Sequence, residues 1–179
     1  MHKLETPARL AELAPPETLA RLGLSDGMTF ADIGAGTGIF TTAAAAITRA
    51  TIFAVDPSAG MRTILQEKKN ELDLQQVEIV SDVSELPKRS VDLALLCTVL
   101  HEIKDQEAFL KQIASGLKPG GKLAVIEFHK QATPYGPPPE IRISPEDVLR
   151  LSASAGFVES ERFALAESYY CLCLQLGGA

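Results

Sequence analysis

Three aspartates stand where an apolar run gives way to a turn. Asp32 lies in Phe30-Ala-Asp-Ile-Gly-Ala-Gly-Thr-Gly38, Asp56 follows Thr51–Val55, and Asp82 follows Val77–Val80. An apolar run that meets Gly34, Gly36 and Gly38 and then turns helical describes a strand folding sharply into a helix. Glycines there permit positive φ and let a ligand approach bare backbone. They also leave helix N-terminal amides free to donate. Such a loop would suit a phosphate, but the Asp32 carboxylate would repel one and favours an amine or sulfonium cation. The expected ligand is therefore a nucleoside without phosphate. Asp56, 20 residues past Gly36, can accept from both ribose hydroxyls. Asp82 can accept from an exocyclic adenine amine, although a carboxylate there would also serve as an ordinary helix cap.

Proton chemistry has fewer candidates. His101 follows the apolar run Val91–Thr98, and Glu127 and His129 flank the end of Lys122–Phe128. Any of the three could act as a general base, His101 first. The plain readings are a histidine bonded to a backbone carbonyl and a solvated strand end. Asp92 opens a strand and reads as structural. Cys97, Cys171 and Cys173 form no zinc-type pair. Together they could suggest a thiol site for a soft metalloid, but buried free cysteines are the favoured reading. His2, His101 and His129 lack metal-ligand spacing, so no metal is expected.

The elements that must position these residues alternate. Residues 7–22 give a short helix, a break at Pro15-Pro16, and a second helix opening at Pro16-Glu17. Strands are expected at Met28–Ile33, Thr51–Val55, Val77–Val80, Val91–Thr98 and Lys122–Phe128. Helices are expected at 38–48, Ser58–Leu72 and Asp105–Leu117, with Pro119-Gly120-Gly121 as a turn before the fifth strand. Residues 130–143 form one long irregular segment, the kind that often serves as a lid; it includes Tyr135 and Arg142. Ser144-Pro145-Glu146 then starts a helix that stops at Gly156. Arg162–Leu165 and Tyr169–Leu174 close the chain as an antiparallel pair. The sum is an α/β fold, a doubly wound sheet of seven strands, mostly parallel with the last strand antiparallel. In such sheets ligands bind beyond the carboxyl ends of the strands.

Composition agrees with one soluble domain over 1–179, with 1–27 as a short helical cap. Apolar residues make up 46% and charged residues 22%, and the formal net charge is −6. No dense Lys/Arg block appears, which argues against binding a nucleic-acid polymer. No apolar run approaches the roughly 18 residues of a membrane helix. The N-terminus lacks the apolar core of a signal peptide, which predicts a cytoplasmic protein. A homodimer is compatible with the sequence but not indicated by it.

The ordered set resembles the class I S-adenosylmethionine-dependent methyltransferases across essentially the whole chain. The resemblance rests on Asp32-Ile-Gly-Ala-Gly-Thr-Gly38, Val55-Asp56-Pro-Ser58, Ser81-Asp82, Val91-Asp92-Leu93 leading to Leu100-His101, and Leu117-Lys-Pro-Gly-Gly-Lys-Leu-Ala-Val-Ile126. Within that class the chain looks like small bacterial proteins of the type 11, ubiquinone/menaquinone C-methyltransferase kind. The resemblance implies a Rossmann-like methyltransferase fold, S-adenosylmethionine as cofactor, and a small-molecule acceptor it leaves unnamed. It implies that Gly34, Ala35, Gly36 and Gly38 line the methionine part and that Asp32 helps hold its amine. Asp56 and Pro57 would lie at the ribose, Met61 on the adenine face, Asp82 and Val83 at the adenine edge, and Cys97 and Thr98 under the methionine moiety. Two other functions stay open: a cofactor-binding regulatory domain without catalysis, and a nicotinamide oxidoreductase. The latter wants its third glycine one place later, where this chain has Ile39.

Overall fold

Apolar runs short enough to be strands alternate here with runs of helical period, and the chain folds accordingly. The computed structural model describes residues 3–177; His2, considered above as a metal ligand, lies outside them. The strands are β1 (Phe30–Ile33), β2 (Ile52–Val55), β3 (Val77–Val80), β4 (Val91–Cys97), β5 (Leu117–Phe128), β6 (Phe157–Leu165) and β7 (Tyr169–Leu176). The helices are α1 (Pro7–Leu13), α2 (Pro15–Arg21), α3 (Ile39–Ala45), α4 (Ala59–Glu71), α5 (Gln106–Gly116) and α6 (Pro145–Ala153). The seven strands lie in the order β3-β2-β1-β4-β5-β7-β6. Those from β3 through β5 pair in parallel, while β7 runs antiparallel to both β5 and β6.

Neighbouring residues on the central strands feed opposite faces of the sheet, as a two-residue period requires. Leu96, Val125 and Leu172 enter one apolar layer with Ile113 of α5 and Val148 of α6. Leu95, Ile126 and Tyr169 enter the other with Phe40 of α3 and Leu13 and Leu19 of the first two helices. All four residues of β1 and of β2 are buried, which is why β2 reads as a continuous apolar run and β1 as one broken only by Asp32.

Among the boundaries that differ from the sequence reading, three have a clear local reason. Ala14 takes the left-handed conformation (φ 37°) and serves as both C-cap of α1 and N-cap of α2, so the second helix opens at Pro15 rather than Pro16. Strand β5 starts at Leu117, not Lys122, because Leu117 already pairs with Val91 before residues 118–121 bulge out and pairing resumes at Leu93–Lys122. A Cβ on Gly121 would sit 2.8 Å from the Lys118 carbonyl oxygen, so the bulge closes only around glycine. Strand β6 begins five residues before the expected Arg162. As an edge strand it buries little between Phe157 and Phe163, and its polar run carries no apolar period to read.

Candidate active site

The carboxyl ends of β1 to β4 and the N-terminal stretch enclose a cavity of about 660 Å³, within the range of small-molecule sites. Asp32, Gly34, Ala35, Gly36, Asp56, Pro57, Met61, Asp82, Val83, Cys97 and Thr98 all line it. Gly38 stands just behind, where its φ of 83° starts α3. Strand order explains the convergence: β4 crosses to the far side of β1 from β2, and loops diverging at that reversal leave a crevice.

The glycine loop works differently from the sequence expectation. Its amides are not free: Gly34 and Ala35 both donate to the Val55 carbonyl (2.8 and 3.0 Å), Gly36 donates to Asp56 Oδ2 (2.8 Å), and Gly38 donates to the Ala35 carbonyl (2.8 Å). What the glycines supply is conformation and space. Gly34 has φ 75°, and a Cβ there would fall 2.3 Å from Val99 Cγ2. The loop therefore presents bare backbone to the cavity rather than a nest of donors.

Each acid carries a definite load. Asp32 is almost fully buried and accepts from the Thr41 hydroxyl at 2.6 Å. Burial pushes its carboxyl up to about 6, with Asp56 adding to the rise and Thr41 opposing it. Asp56 accepts from Gly36 through one oxygen and from the Ser58 amide (2.9 Å) through the other. A carboxylate has about four lone-pair directions, so two accepted bonds leave room for a ligand diol. Asp82 caps the turn Val83–Glu85 by accepting from the Ser84 amide (2.8 Å), while Glu85 reaches back to the Asp82 amide (3.0 Å). Those Ser84 bonds hold the exposed Asp82 carboxyl below its ordinary range. The capping role is real, and one oxygen remains free of it.

At the end of β4, burial pushes the Cys97 thiol up to about 12, so it is a wall and not a nucleophile. Thr98 holds φ 58°, a strained value for a β-branched residue. Its hydroxyl accepts from Arg9 Nη2 at 3.0 Å. Cys171 and Cys173 are buried in β7, away from the cavity lining. No group of three or more His, Cys, Asp or Glu residues that could hold a metal ion occurs among the described residues.

The three candidate bases sit elsewhere. His101, Glu127 and His129 do not line the cavity. Glu127, next to Ile126 on β5, points to the opposite face of the sheet from it. There it takes His101 Nδ1 at 2.8 Å and the His101 amide at 3.3 Å. The bond to Glu127 raises the His101 imidazole above its ordinary value. His129 lies 5.7 Å from the Tyr170 ring, and its amide bonds the Ser168 carbonyl. The arrangement joins two of the three residues, but as a buried ion pair behind the loop.

Sequence reasoning passed over Arg9, which lines the cavity and is only 9% exposed. A signal existed: Arg9 and Leu13, four residues apart, are the buried positions of α1. A cation on the apolar stripe of a helix is unusual enough to mark a site. Ile103 and Phe109, also in the lining, come from the loop after β4 and from α5.

Known proteins resemble the chain in both sequence and shape. A methyltransferase domain family (Methyltransf_11) matches residues 31–125, more than half of the chain. The demethylmenaquinone methyltransferase of Oceanobacillus iheyensis is 30% identical over 116 residues, 62% of this chain and 49% of its own. The ubiquinone/menaquinone biosynthesis C-methyltransferase of Pseudoalteromonas translucida is 28% identical over 120 residues, 64% of this chain and 48% of its own. The chain thus spans about half the length of the curated relatives it matches. A SAM-dependent methyltransferase from Aquifex aeolicus superposes with a TM-score of 0.91 at 27% identity, covering 97% of this chain and 95% of that one.

Proposed function

The chain belongs to the methyltransferase domain family, and from that premise we propose that it moves a methyl group from S-adenosylmethionine to a small-molecule acceptor. The observation that carries the reading is the single cavity in which Asp32, Asp56 and Asp82 stand at three successive strand ends. That row of acceptors matches an ammonium, a ribose diol and an adenine amine, and it opposes a pyrophosphate. In this reading Asp56 and Pro57 take the ribose, Met61 and Val83 cover the adenine faces, and Asp82 takes its amine. Asp32 faces the amino group, with Cys97, Thr98 and the backbone of residues 34–36 under the methionine chain. Gly38 shapes the loop from behind.

When bound, the cofactor supplies an electrophilic methyl on a sulfonium. The sulfur–carbon bond breaks with its electron pair staying on sulfur as the acceptor's bond to carbon forms. The protein's residues align the partners and exclude water, which can lower the barrier by as much as ~7–11 kcal/mol. His101 and Glu127 contribute by tying the β4–α5 loop to β5, an orienting role that suits their place outside the cavity lining, while His129 packs beside Tyr170. Leu4 and Arg9 give the cavity an N-terminal wall on the acceptor side. Segment 130–143 lies outside the cavity lining, and Arg142 clasps it from within.

The relatives' names, demethylmenaquinone and ubiquinone/menaquinone methyltransferases, make a hydroquinone the first acceptor to try. Purified protein is incubated with S-adenosylmethionine and a panel of hydroquinones, catechols, amines and thiols, and S-adenosylhomocysteine and methylated product are measured together. One acceptor class should give the two in equal amounts. Binding of NAD as tight as that of S-adenosylhomocysteine would overturn the reading in favour of an oxidoreductase. Tight S-adenosylhomocysteine binding without turnover on any class would leave the regulatory domain.

A further inference from the structure

Among the described residues, the cleft holds a buried cation with no carboxylate paired to it. The guanidinium of Arg9 gives Nη1 to the Tyr169 hydroxyl (3.1 Å) and Nη2 to the Thr98 hydroxyl (3.0 Å), both neutral oxygens. Its Nε is buried and has no hydrogen-bond partner among the described residues. Among the described residues no carboxylate forms an ion pair with it. Tyr169 cannot neutralise it as a phenolate, since burial raises that hydroxyl far above its ordinary value. Keeping a charge out of water without a counter-ion costs several kcal/mol, so a folded protein retains one where a ligand completes the pair.

Position narrows the ligand. Arg9 arrives from α1 and reaches Thr98 at the end of β4 and Tyr169 at the start of β7, at the opposite end of the cavity from Asp82. Asp32 lines the same cavity from β1, the strand beside β4, and both Arg9 and Asp32 act electrostatically on Cys97 at the end of β4. A buried acid and a buried guanidinium about one cysteine complement a group carrying an ammonium and a carboxylate side by side. Arginine's planar fork fits a carboxylate in a way a point charge does not.

We propose that Arg9 is the carboxylate-recognition residue of this cleft, and that with Asp32 it forms a clamp for a zwitterionic or acidic ligand group. The inference rests on the function proposed above but extends it to a residue and a charge requirement. The carboxylate has two sources, the methionine end of the methyl donor or an acidic acceptor, and these are separable. Arg9 closes the cleft from the N-terminal helix, so recognition of the anion also seats that helix.

The test is isothermal titration calorimetry of the full chain, as wild type, Arg9→Gln and Arg9→Lys. The probes are S-adenosylhomocysteine, its decarboxylated analogue, which keeps the amine, and benzoate added to protein saturated with that analogue. If the donor is the source, wild type binds S-adenosylhomocysteine at least tenfold tighter than the analogue. Arg9→Gln then brings the two within about threefold, and Arg9→Lys falls between. If an acidic acceptor is the source, wild type binds the two nucleosides alike and also binds benzoate, and Arg9→Gln loses the benzoate. Either result supports the assignment. It is overturned if Arg9→Gln keeps the wild-type preference for the carboxylate-bearing nucleoside, or if wild type binds both nucleosides alike and no benzoate. Should Arg9→Gln fail to fold, Arg9→Lys decides alone, since undiminished carboxylate preference in that variant also overturns it. Failure of wild type to bind either nucleoside would instead overturn the proposed function itself.

Discussion

Asp32 and His101 both hold their protons to higher pH than usual, for opposite reasons and with different consequences. Burial raises Asp32 to about 6 by disfavouring its charge. Glu127 raises His101 by favouring its charge. For Asp32 the consequence is pH-linked binding. An α-ammonium ligand needs the carboxylate, and the ligand's amine keeps its proton between pH 5 and 7. S-adenosylhomocysteine should therefore bind about tenfold tighter at pH 7 than at pH 5, because roughly a tenth of that carboxyl is ionised at the lower pH and most of it at the higher. Asp32→Asn should bind weakly and without that slope, and a slope that survives the substitution would mean another group is titrating. For His101 the consequence is stability. Its folded-state pKa lies above the unfolded one, so the pair's contribution is complete below the ordinary imidazole value and is lost as pH rises through the raised one. His101→Ala strands the buried Glu127 carboxylate and should cost about 3 kcal/mol in urea unfolding at pH 6, less at pH 9. Affinity for S-adenosylhomocysteine should stay within about twofold. Unchanged stability with collapsed kcat would restore His101 as a base.

Loops and helix ends make predictions of another kind, because there conformation is the function. Gly34→Ala places a methyl against Val99 at a left-handed φ. It should cost about 2 kcal/mol and weaken S-adenosylhomocysteine at least tenfold by calorimetry. Adding Val99→Ala relieves the overlap but not the φ, so recovery should be partial; full recovery would show that backbone conformation is irrelevant. In segment 130–143, Arg142 donates to the carbonyls of Pro137, His129 and Gln131 and to the Thr133 hydroxyl, at 2.7–2.8 Å. Arg142→Met should speed thermolysin cleavage within that segment about tenfold while leaving nucleoside affinity unchanged, since none of these residues lines the cavity. Unaltered cleavage would show that the segment holds itself. The elements most legible in sequence are those with a clear apolar run or a capping side chain: β3 appears at its expected limits, and Ser58, Asp105 and Ser144 each accept from an amide as N-caps. The early half of β6 is illegible because an exposed edge strand carries no burial period.

At the scale of the whole molecule, residues that no local pattern joins meet at one place. Strand ends announce themselves, so Asp32, Asp56 and Asp82 can be assembled in sequence by adding one rule about parallel sheets. Arg9 meets Thr98 and Tyr169 across separations of 89 and 160 residues, and only the antiparallel return of β7 beside β5 brings them within reach. Glu127 is visible in the sequence as a candidate base, but its pairing with His101 is not, since that depends on which side of the sheet β5 turns its carboxylate. The assembled cleft draws on α1, β1 to β4 and α5, so the unfolded chain holds no part of it, and ligand binding must stabilise the fold as a whole. A ligand present at about a hundred times its dissociation constant adds roughly 2.7 kcal/mol. For a domain of this size that is a rise of about 5–10 °C in Tm. S-adenosylhomocysteine should give such a rise in a thermal melt, as one transition, because both apolar layers share the sheet that carries the cleft. NAD at the same concentration should leave Tm where it is, since its pyrophosphate would meet Asp32 and a loop whose Gly34, Ala35, Gly36 and Gly38 amides are already spent. An equal rise with both ligands would mean that the acids at the strand ends do not select the ligand, and the cleft would have to be reinterpreted from its glycines alone.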